Sequence, residues 1–257
     1  MQWHDLLGAV LIDFFDGTPY DVETEVDLSL KKQFLDIVVI RKKEGELHHP
    51  LPDGMTPLAN HNLISFKSHQ DSFDGWSLQE LIGYYVNYRK QTSSSLDQLL
   101  PEDQFQLFGI AARFPDNLAR QVRLEESQSG VYDIHIGSLR IRLLVIRDLP
   151  NKPANAMLKL FSIVPEQIEF ACRNYHLLSP HTTGIVDQLI SKYRKEDERM
   201  ATTIEELNRK LMKEAMEMAS VAERLKGLTT EQILKRLSPE EIEAYLRTLK
   251  KKKPKRK

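Results

Sequence analysis

The chain has 257 residues, of which 41% are hydrophobic and 28% charged, so a packed core is possible and general disorder is excluded. The formal net charge of −1 hides an uneven distribution: seven positive charges lie in residues 250–257, and the rest of the chain carries a net charge of −8. The single cysteine, Cys172, excludes an intrachain disulfide.

The N-terminal segment lacks the features of a secretory signal. It has no basic region, and its apolar stretch over residues 6–12 is short and flanked by Asp5 and Asp13. No apolar run is long enough to span a membrane. We therefore expect a cytoplasmic protein without a membrane partner.

The first two elements of the chain are a helix and a strand. Apolar residues at helical spacing over residues 3–15 predict the helix. Residues 22–30 alternate at period two, which predicts a strand with its apolar residues on one face and Glu23, Glu25 and Asp27 on the other.

Two charged residues interrupt the next two apolar segments. Asp36 lies within residues 33–40 and Lys67 within residues 62–68, and both segments have the composition of buried strands. Because a buried charge is costly unless it is paired or holds a metal, these residues predict a site. If the two strands pair, Asp36 lies close to Lys67, and Ser65 shares the face of Lys67.

Further elements follow the two charged strands. Ser77 with Glu80 forms a predicted capping box at the start of a helix over about 78–90. Beyond it, the pattern predicts strands over 105–114, 121–126, 131–136 and 139–147, and helices near 153–162, 165–175 and 182–195. The predicted fold is α/β, a mixed sheet with helices on its faces.

The C-terminal part of the chain is charged and helical. A helix with an apolar stripe is predicted from about residue 203 to 225. The motif Leu-Thr-Thr-Glu-Gln-Ile at 228–233 then recurs as Leu-Ser-Pro-Glu-Glu-Ile at 237–242, which predicts small helices joined by tight turns. We expect residues 201–257 to form a helical appendage, either a homo-oligomeric coiled-coil contact or a loosely docked tail without a specific partner.

The order α-β-β-β-α-β, with an aspartate in strand two and Ser-Phe-Lys in strand three, resembles the PD-(D/E)XK nuclease superfamily. More narrowly, it resembles the recombination-promoting nuclease and putative transposase group, whose C-terminal tails are similar to the Leu-Thr-Thr-Glu-Gln and Leu-Ser-Pro-Glu-Glu repeats. The resemblance implies a restriction-endonuclease-like domain over residues 1–200, with its core over about 3–113 and an extension over about 114–200.

This resemblance implies a DNA endonuclease with Mg²⁺ as cofactor. Asp36 matches the metal-binding aspartate, and Lys67 matches the lysine that positions water and stabilises charge on the phosphate. Glu25 is the candidate for a further acid. The family has an acid two residues before the lysine, where this chain has Ser65, so Glu80 on the following helix is the candidate replacement. The predicted metal ligands are thus Asp36, Glu25 and Glu80.

The basic tail is a candidate DNA-binding segment, since clustered positive charge attracts phosphates. Its charged residues are Lys250, Lys251, Lys252, Lys253, Lys255, Arg256 and Lys257. The alternative is a terminus that only aids solubility.

A non-enzymatic interpretation stands beside the nuclease hypothesis. Asp36 and Lys67 can form a structural ion pair, Glu25 can lie on a solvated strand face, and the whole can be a degenerate nuclease fold that binds nucleic acid or assembles. The four histidines between residues 48 and 69 match no compact zinc site. No phosphate-binding Gly-x-x-x-x-Gly-Lys loop and no Gly-x-Ser-x-Gly elbow occurs.

Overall fold

The computed structural model describes residues 3–27, 34–176, 188–189, 198–220, 224–225, 229, 231, 234 and 238–252. The helices are α1 (Trp3–Phe15), α2 (Gly75–Thr92), α3 (Asp116–Ala119), α4 (Ala156–Lys159), α5 (Pro165–Asn174), α6 (Glu198–Met218) and α7 (Pro239–Lys252). The strands are β1 (Tyr20–Asp27), β2 (Phe34–Arg41), β3 (His61–Lys67), β4 (Phe105–Ala111), β5 (Glu125–Gln128), β6 (Val131–Ile136) and β7 (Leu139–Val145). Short 3₁₀ turns cover Glu102–Gln104 and Pro153–Asn155.

The seven strands form one mixed sheet in the order β1-β2-β3-β4-β7-β6-β5. The central pairs β3–β4 and β4–β7 are parallel, and all other pairs are antiparallel. The predicted α/β class and the mixed sheet flanked by helices are confirmed. Strands β1 and β5 are the two edges, and β5 is short, with a register shift between Glu126 and Gln128.

Helices cover both faces of the sheet because the central strands are apolar on both sides. The face towards α1 packs with α4, α5 and α6 through the α1-face cluster, whose sheet residues include Ile37, Val39, Ile64, Phe66, Phe108 and Ile110. The face towards α2 forms the α2-face cluster, whose sheet residues include Val38, Ile40, Leu63, Leu107, Leu143 and Val145. The functional elements are therefore positioned by two hydrophobic cores.

Two glycines allow close approach to the sheet. A Cβ on Gly8 would lie 2.5 Å from the Thr24 methyl group, so only glycine lets α1 pack this closely on β1. A Cβ on Gly109 would lie 2.7 Å from the Phe73 ring, which covers β4 just before α2 begins. These contacts set the positions of both helices.

Strand β1 changes faces at Glu25. This residue has a φ of 52°, in the left-handed region that non-glycine residues rarely adopt. Val22 accordingly packs against the α1-face cluster and Val26 against the α2-face cluster. The facing strand changes faces at the same level, since Leu35 and Ile37 belong to different clusters. The predicted single-faced alternation of this strand is therefore wrong beyond Glu25.

The start of α2 differs from the predicted capping box. The helix begins at Gly75, and Asp74 is the N-cap: its carboxylate accepts hydrogen bonds from the Ser77 amide at 2.9 Å and the Ser77 hydroxyl at 3.0 Å. Ser77 thus lies inside the helix, and the predicted role of Ser77 with Glu80 is wrong. Asp74 is the better N-cap because its carboxylate is a stronger hydrogen-bond acceptor than the Ser77 hydroxyl.

The chain divides into two compact units, Met1–Ala215 and Met216–Lys257. In the first unit, Leu207 and Leu211 of α6 are buried in the α1-face cluster, so this part of the predicted stripe packs within the unit. In the second unit, α7 begins at Pro239 as predicted for the second repeat. The helix predicted at 182–195, the motif at 228–233 and residues 253–257 lie largely outside the described residues. No helix of the described residues has the length and apolarity needed to cross a membrane.

A lysine lies in the core. Lys159 of α4 is fully buried, and its Nζ donates a hydrogen bond to the Leu149 carbonyl at 2.6 Å. Burial lowers the pKa of Lys159 to about 8, although the negative charge of Asp148 raises this pKa in part. The folded protein therefore binds this proton more weakly than the unfolded chain does.

We predict that Lys159→Met removes a pH dependence of stability. Between about pH 8 and the unfolded pKa of 10.5 the unfolded chain holds the Lys159 proton and the folded protein does not, so this residue makes stability rise with pH. Over this interval the wild type should gain about 2 kcal/mol relative to the variant. Urea unfolding at several pH values measures the difference.

The matched control is Lys90→Met, at an exposed lysine of α2, which should follow the wild type across the same interval. Wild type and Lys159→Met showing parallel stability curves would contradict the account of the buried amine.

Candidate active site

The carboxylate of Asp36 lies where strands β1, β2 and β3 reach one end of the sheet. Strand β2 pairs with β3 through Ile37 and Ile64, so Asp36 falls opposite Ser65. Its Oδ2 accepts hydrogen bonds from the Phe66 amide at 2.9 Å and from the Ser65 hydroxyl at 3.2 Å. The side chain thus takes an amide that the strand ladder would otherwise use, which anchors the carboxylate.

Burial raises the pKa of Asp36 because the charged form loses solvation. The hydrogen bond from the Phe66 amide opposes this shift, as do the positive charges of His4 and Lys67 and the Ser65 hydroxyl. The raised pKa of Asp36 means that desolvation outweighs these interactions. Perturbed pKa values are common at functional sites but also occur in structural ion-pair networks.

Lys67 ends β3 on the same face as Ser65 and is partly buried. Its charge lowers the pKa of Asp36, yet the two side chains form no ion pair within 4.0 Å. The structural ion pair considered as an alternative is therefore not formed. The hydrogen bond from the Ser77 amide lowers the pKa of Asp74, and the charge of Lys67 acts in the same direction. The charge of Lys67 thus acts on both Asp36 and the N-cap of α2.

Glu25 is part of a group that sequence reasoning did not find. Its Oε1 lies 3.4 Å from Nε2 of His4, and the same nitrogen lies 3.1 Å from Oδ1 of Asp5. One ligand atom from each of the three residues lies within 4.8 Å of the others, a spacing that suits a divalent cation. The start of α1 supplies two of these residues, and the left-handed turn of β1 supplies the third.

The predicted metal ligands are only partly brought together. Among the described residues, the metal-compatible group contains Glu25 but neither Asp36 nor Glu80. The charge of His4 nevertheless lowers the pKa of Asp36, so the group adjoins the buried carboxylate. Glu80 borders the site through Tyr84: burial raises the pKa of this tyrosine, and the charges of Glu80 and Asp36 add to the shift.

The arrangement fits a hard or borderline cation, since two carboxylates and one imidazole can coordinate Mg²⁺ weakly and Mn²⁺ or Zn²⁺ better. The same three groups also satisfy one another as ion pairs when His4 is protonated. No signal in the sequence singles out His4 and Asp5, because they belong to the first turn of a helix that otherwise appears purely structural.

Other histidines take structural positions. His61 stacks on Phe105 with ring centroids 5.1 Å apart, and its Nδ1 lies 3.2 Å from the Tyr88 hydroxyl. His69 meets the edge of the Trp3 ring. Aromatic packing therefore accounts for the positions of both rings.

A cavity of about 350 Å³ lies at the opposite end of the parallel strands, lined by the beginnings of β4 and β7 and by Arg140. It is remote from Asp36 because β3, β4 and β7 run away from it towards the candidate site. We therefore place the candidate chemistry at the carboxyl end of β3, which is also where ligands collect in open α/β sheets.

Comparison with protein-family models, with curated proteins and with solved structures returned no match. The nuclease resemblance therefore depends on the residues and geometry described above.

We predict opposite stability effects for two substitutions of Asp36. Asn keeps an acceptor for the Phe66 amide and removes the poorly solvated charge, so Asp36→Asn should stabilise the protein at neutral pH. Because the folded pKa is raised, this advantage should shrink as the pH falls through the folded pKa and should be lost below the unfolded value of 3.8, where the wild-type carboxyl is protonated in both states. Thermal melting across the acidic range measures it.

Asp36→Ala should instead destabilise the protein by about 1–3 kcal/mol, since it leaves the Phe66 amide without its acceptor. The exposed acid Asp97, changed to Asn and to Ala, is the control and should show neither effect. Equal stabilities of the Asn and Ala variants of Asp36 would contradict the hydrogen-bond account.

Proposed function

We propose that this protein is a metal-dependent phosphodiesterase that acts on DNA, with its active site around Asp36 and Lys67. The observation that supports this most directly is the partly buried carboxylate of Asp36, which accepts a hydrogen bond from the amide of Phe66, the residue directly before Lys67 at the end of β3. Together with the order α-β-β-β-α-β, this is the arrangement that the nuclease resemblance implies.

In this proposal each side chain has a defined task. Lys67 has no ion-pair partner within 4.0 Å among the described residues, so its ammonium is available to bind a phosphate oxygen and stabilise charge that develops there. Asp36 and Glu25 supply the negative charge of the proposed site. Glu80 adds negative charge on α2 near Tyr84.

His4, Asp5 and Glu25 are the residues that would hold the cation, next to Asp36. A bound divalent cation supplies polarisation of the phosphate and a lowered pKa of a coordinated water. The imidazole of His4 favours Mn²⁺ over Mg²⁺ as that cation. We also propose Mg²⁺, the cofactor predicted from the sequence, as a cation that these three residues would hold.

The second candidate function is a nuclease fold without catalysis that binds nucleic acid or assembles. It is favoured by Ser65, because a hydroxyl stands where the family has an acid, and a hydroxyl is a weaker ligand for a hard cation. The raised pKa of Asp36 points the same way, since a carboxyl that retains its proton longer binds metal less well. DNA binding by the basic tail and self-association through the C-terminal helices belong to this candidate as well and stay predictions.

We predict that supercoiled plasmid is nicked by the wild type with Mn²⁺ and that Asp36→Ala and Lys67→Ala each reduce nicking by about a hundredfold or more, as expected for loss of transition-state charge stabilisation. Agarose-gel quantification of the nicked form measures the rate.

Lys90→Ala and Asp97→Ala change the same residue types at exposed positions outside the site and should nick at the wild-type rate. If all five proteins nick equally, the activity is a contaminant and the catalytic proposal is wrong.

We further predict that Mn²⁺ raises the melting temperature of the wild type, because a ligand that binds only the folded protein stabilises it. His4→Gln and Glu25→Gln should each abolish most of this rise, while each variant folds without metal.

Titration by differential scanning fluorimetry measures these shifts, with Glu44→Gln as an exposed-acid control. A rise in melting temperature with Mn²⁺ that is identical in His4→Gln and wild type would mean that the cation binds at another site. No rise in the wild type would favour the non-catalytic candidate.

A further inference from the structure

An exposed tryptophan stands beside the candidate active site. Trp76 lies in the first turn of α2 and is 66% exposed, whereas the other tryptophan, Trp3, is only 8% exposed. In the part of the first unit that the structure describes, Phe34 is the other large aromatic side chain that is exposed, and it begins β2 two residues before Asp36. Large exposed aromatic rings are costly to keep in water, so their concentration at this end of the sheet points to binding.

Trp76 is tied to the site by α2. Residues four apart on a helix share a face, so Trp76, Glu80 and Tyr84 form one line along α2. Tyr84 is the member of this line whose pKa is raised further by the charge of Asp36. At the other end, the N-cap Asp74 interacts with the charge of Lys67. The exposed ring therefore lies one turn before the part of α2 that borders the site.

Two arginines lie near this turn of α2, whose N-cap is the acid Asp74. The Ala112 amide donates to the Lys67 carbonyl at 3.1 Å, so the ends of β3 and β4 lie side by side, and exposed Arg113 follows directly. A Cβ on Gly75 would collide with Oε1 of Gln121, which places the neighbouring exposed Arg120 next to the same turn.

The two arginines keep their charge available. Neither Arg113 nor Arg120 forms an ion pair within 4.0 Å with another described residue. The third arginine at this edge, Arg147, is neutralised by Asp148 at 2.9 Å and by the charge of Asp116. The edge thus presents Lys67, Arg113 and Arg120 as cations beside an open indole ring.

We propose that Trp76 stacks on an unpaired base of a single-stranded nucleic acid, whose phosphates bind Arg113 and Arg120 and lead to Lys67. An open aromatic ring next to a line of cations is how proteins bind single strands without reading their sequence. Bases of an intact duplex are stacked on one another and cannot cover the ring. This inference rests on the proposed function and narrows its substrate to single-stranded or frayed DNA.

The test uses the full chain in metal-free buffer, so that binding is measured without cleavage. Oligothymidylate should quench the fluorescence of the exposed Trp76 and leave that of buried Trp3, and a duplex of equal length should quench it far less. Trp76→Phe should remove the quenching. By fluorescence anisotropy of a labelled oligothymidylate, Trp76→Ala should weaken binding about tenfold.

The matched control is Leu96→Ala, at a leucine that is 70% exposed beyond the other end of α2, which should bind as the wild type does. The double substitution Arg113→Gln with Arg120→Gln should lower the salt dependence of binding without changing the quenching at saturation. These two variants separate stacking from phosphate contacts.

Equal affinity of Trp76→Ala and wild type for oligothymidylate would overturn the inference, as would equal binding of duplex and single strand. A wild-type dimer that Trp76→Ala converts to a monomer in sedimentation would also overturn it, because the ring would then cover a second copy. Binding is measured without metal and without cleavage, so a failure of the catalytic proposal in the nicking assay leaves this result interpretable on its own.

Discussion

The site depends on one hydrogen bond, from the Phe66 amide to the carboxylate of Asp36. It places a charge inside an apolar strand and compensates part of the desolvation with a backbone donor that the ladder gives up. Without that donor, this part of the desolvation cost of the carboxylate would be uncompensated. With it, the ends of β2 and β3 are held at a spacing that leaves Lys67 nearby but not in contact, and this separation distinguishes a binding site from a closed ion pair.

The fold was predictable where hydrophobic periodicity was strong. The strands β2, β3, β6 and β7 and the helix α1 follow directly from their apolar patterns. The boundaries were less accessible, because a cap depends on which acceptor the tertiary structure orients. For this reason the sequence pattern indicates Ser77 as the N-cap of α2, whereas Asp74, two residues before Trp76, is the N-cap in the structure. The parallel pairing of β3, β4 and β7 is set by contacts distant in sequence, and no local pattern specifies it.

The site was predictable only in its central pair. Asp36 and Lys67 stood out because charge is rare in apolar strands. His4 and Asp5 did not, because a charged first turn is ordinary on any helix, and their relation to Glu25 arises only when α1 packs on β1. Gly8 permits that packing, but a glycine within a helix indicates no partner by itself. The left-handed φ of Glu25 likewise has no signature in a sequence of alternating residues.

The turn of β1 at Glu25 also bears on how the sheet ends. An open sheet has two unpaired borders that can recruit strands from other molecules into fibres. At one border the backbone of β1 rotates at Glu25 and breaks the run of evenly spaced amides. At the other, β5 is only four residues long and shifts its register. Both borders are thus irregular in the strands that the structure describes, and the backbone distortion that directs Glu25 towards His4 also makes the β1 border a poorer template for pairing with another strand.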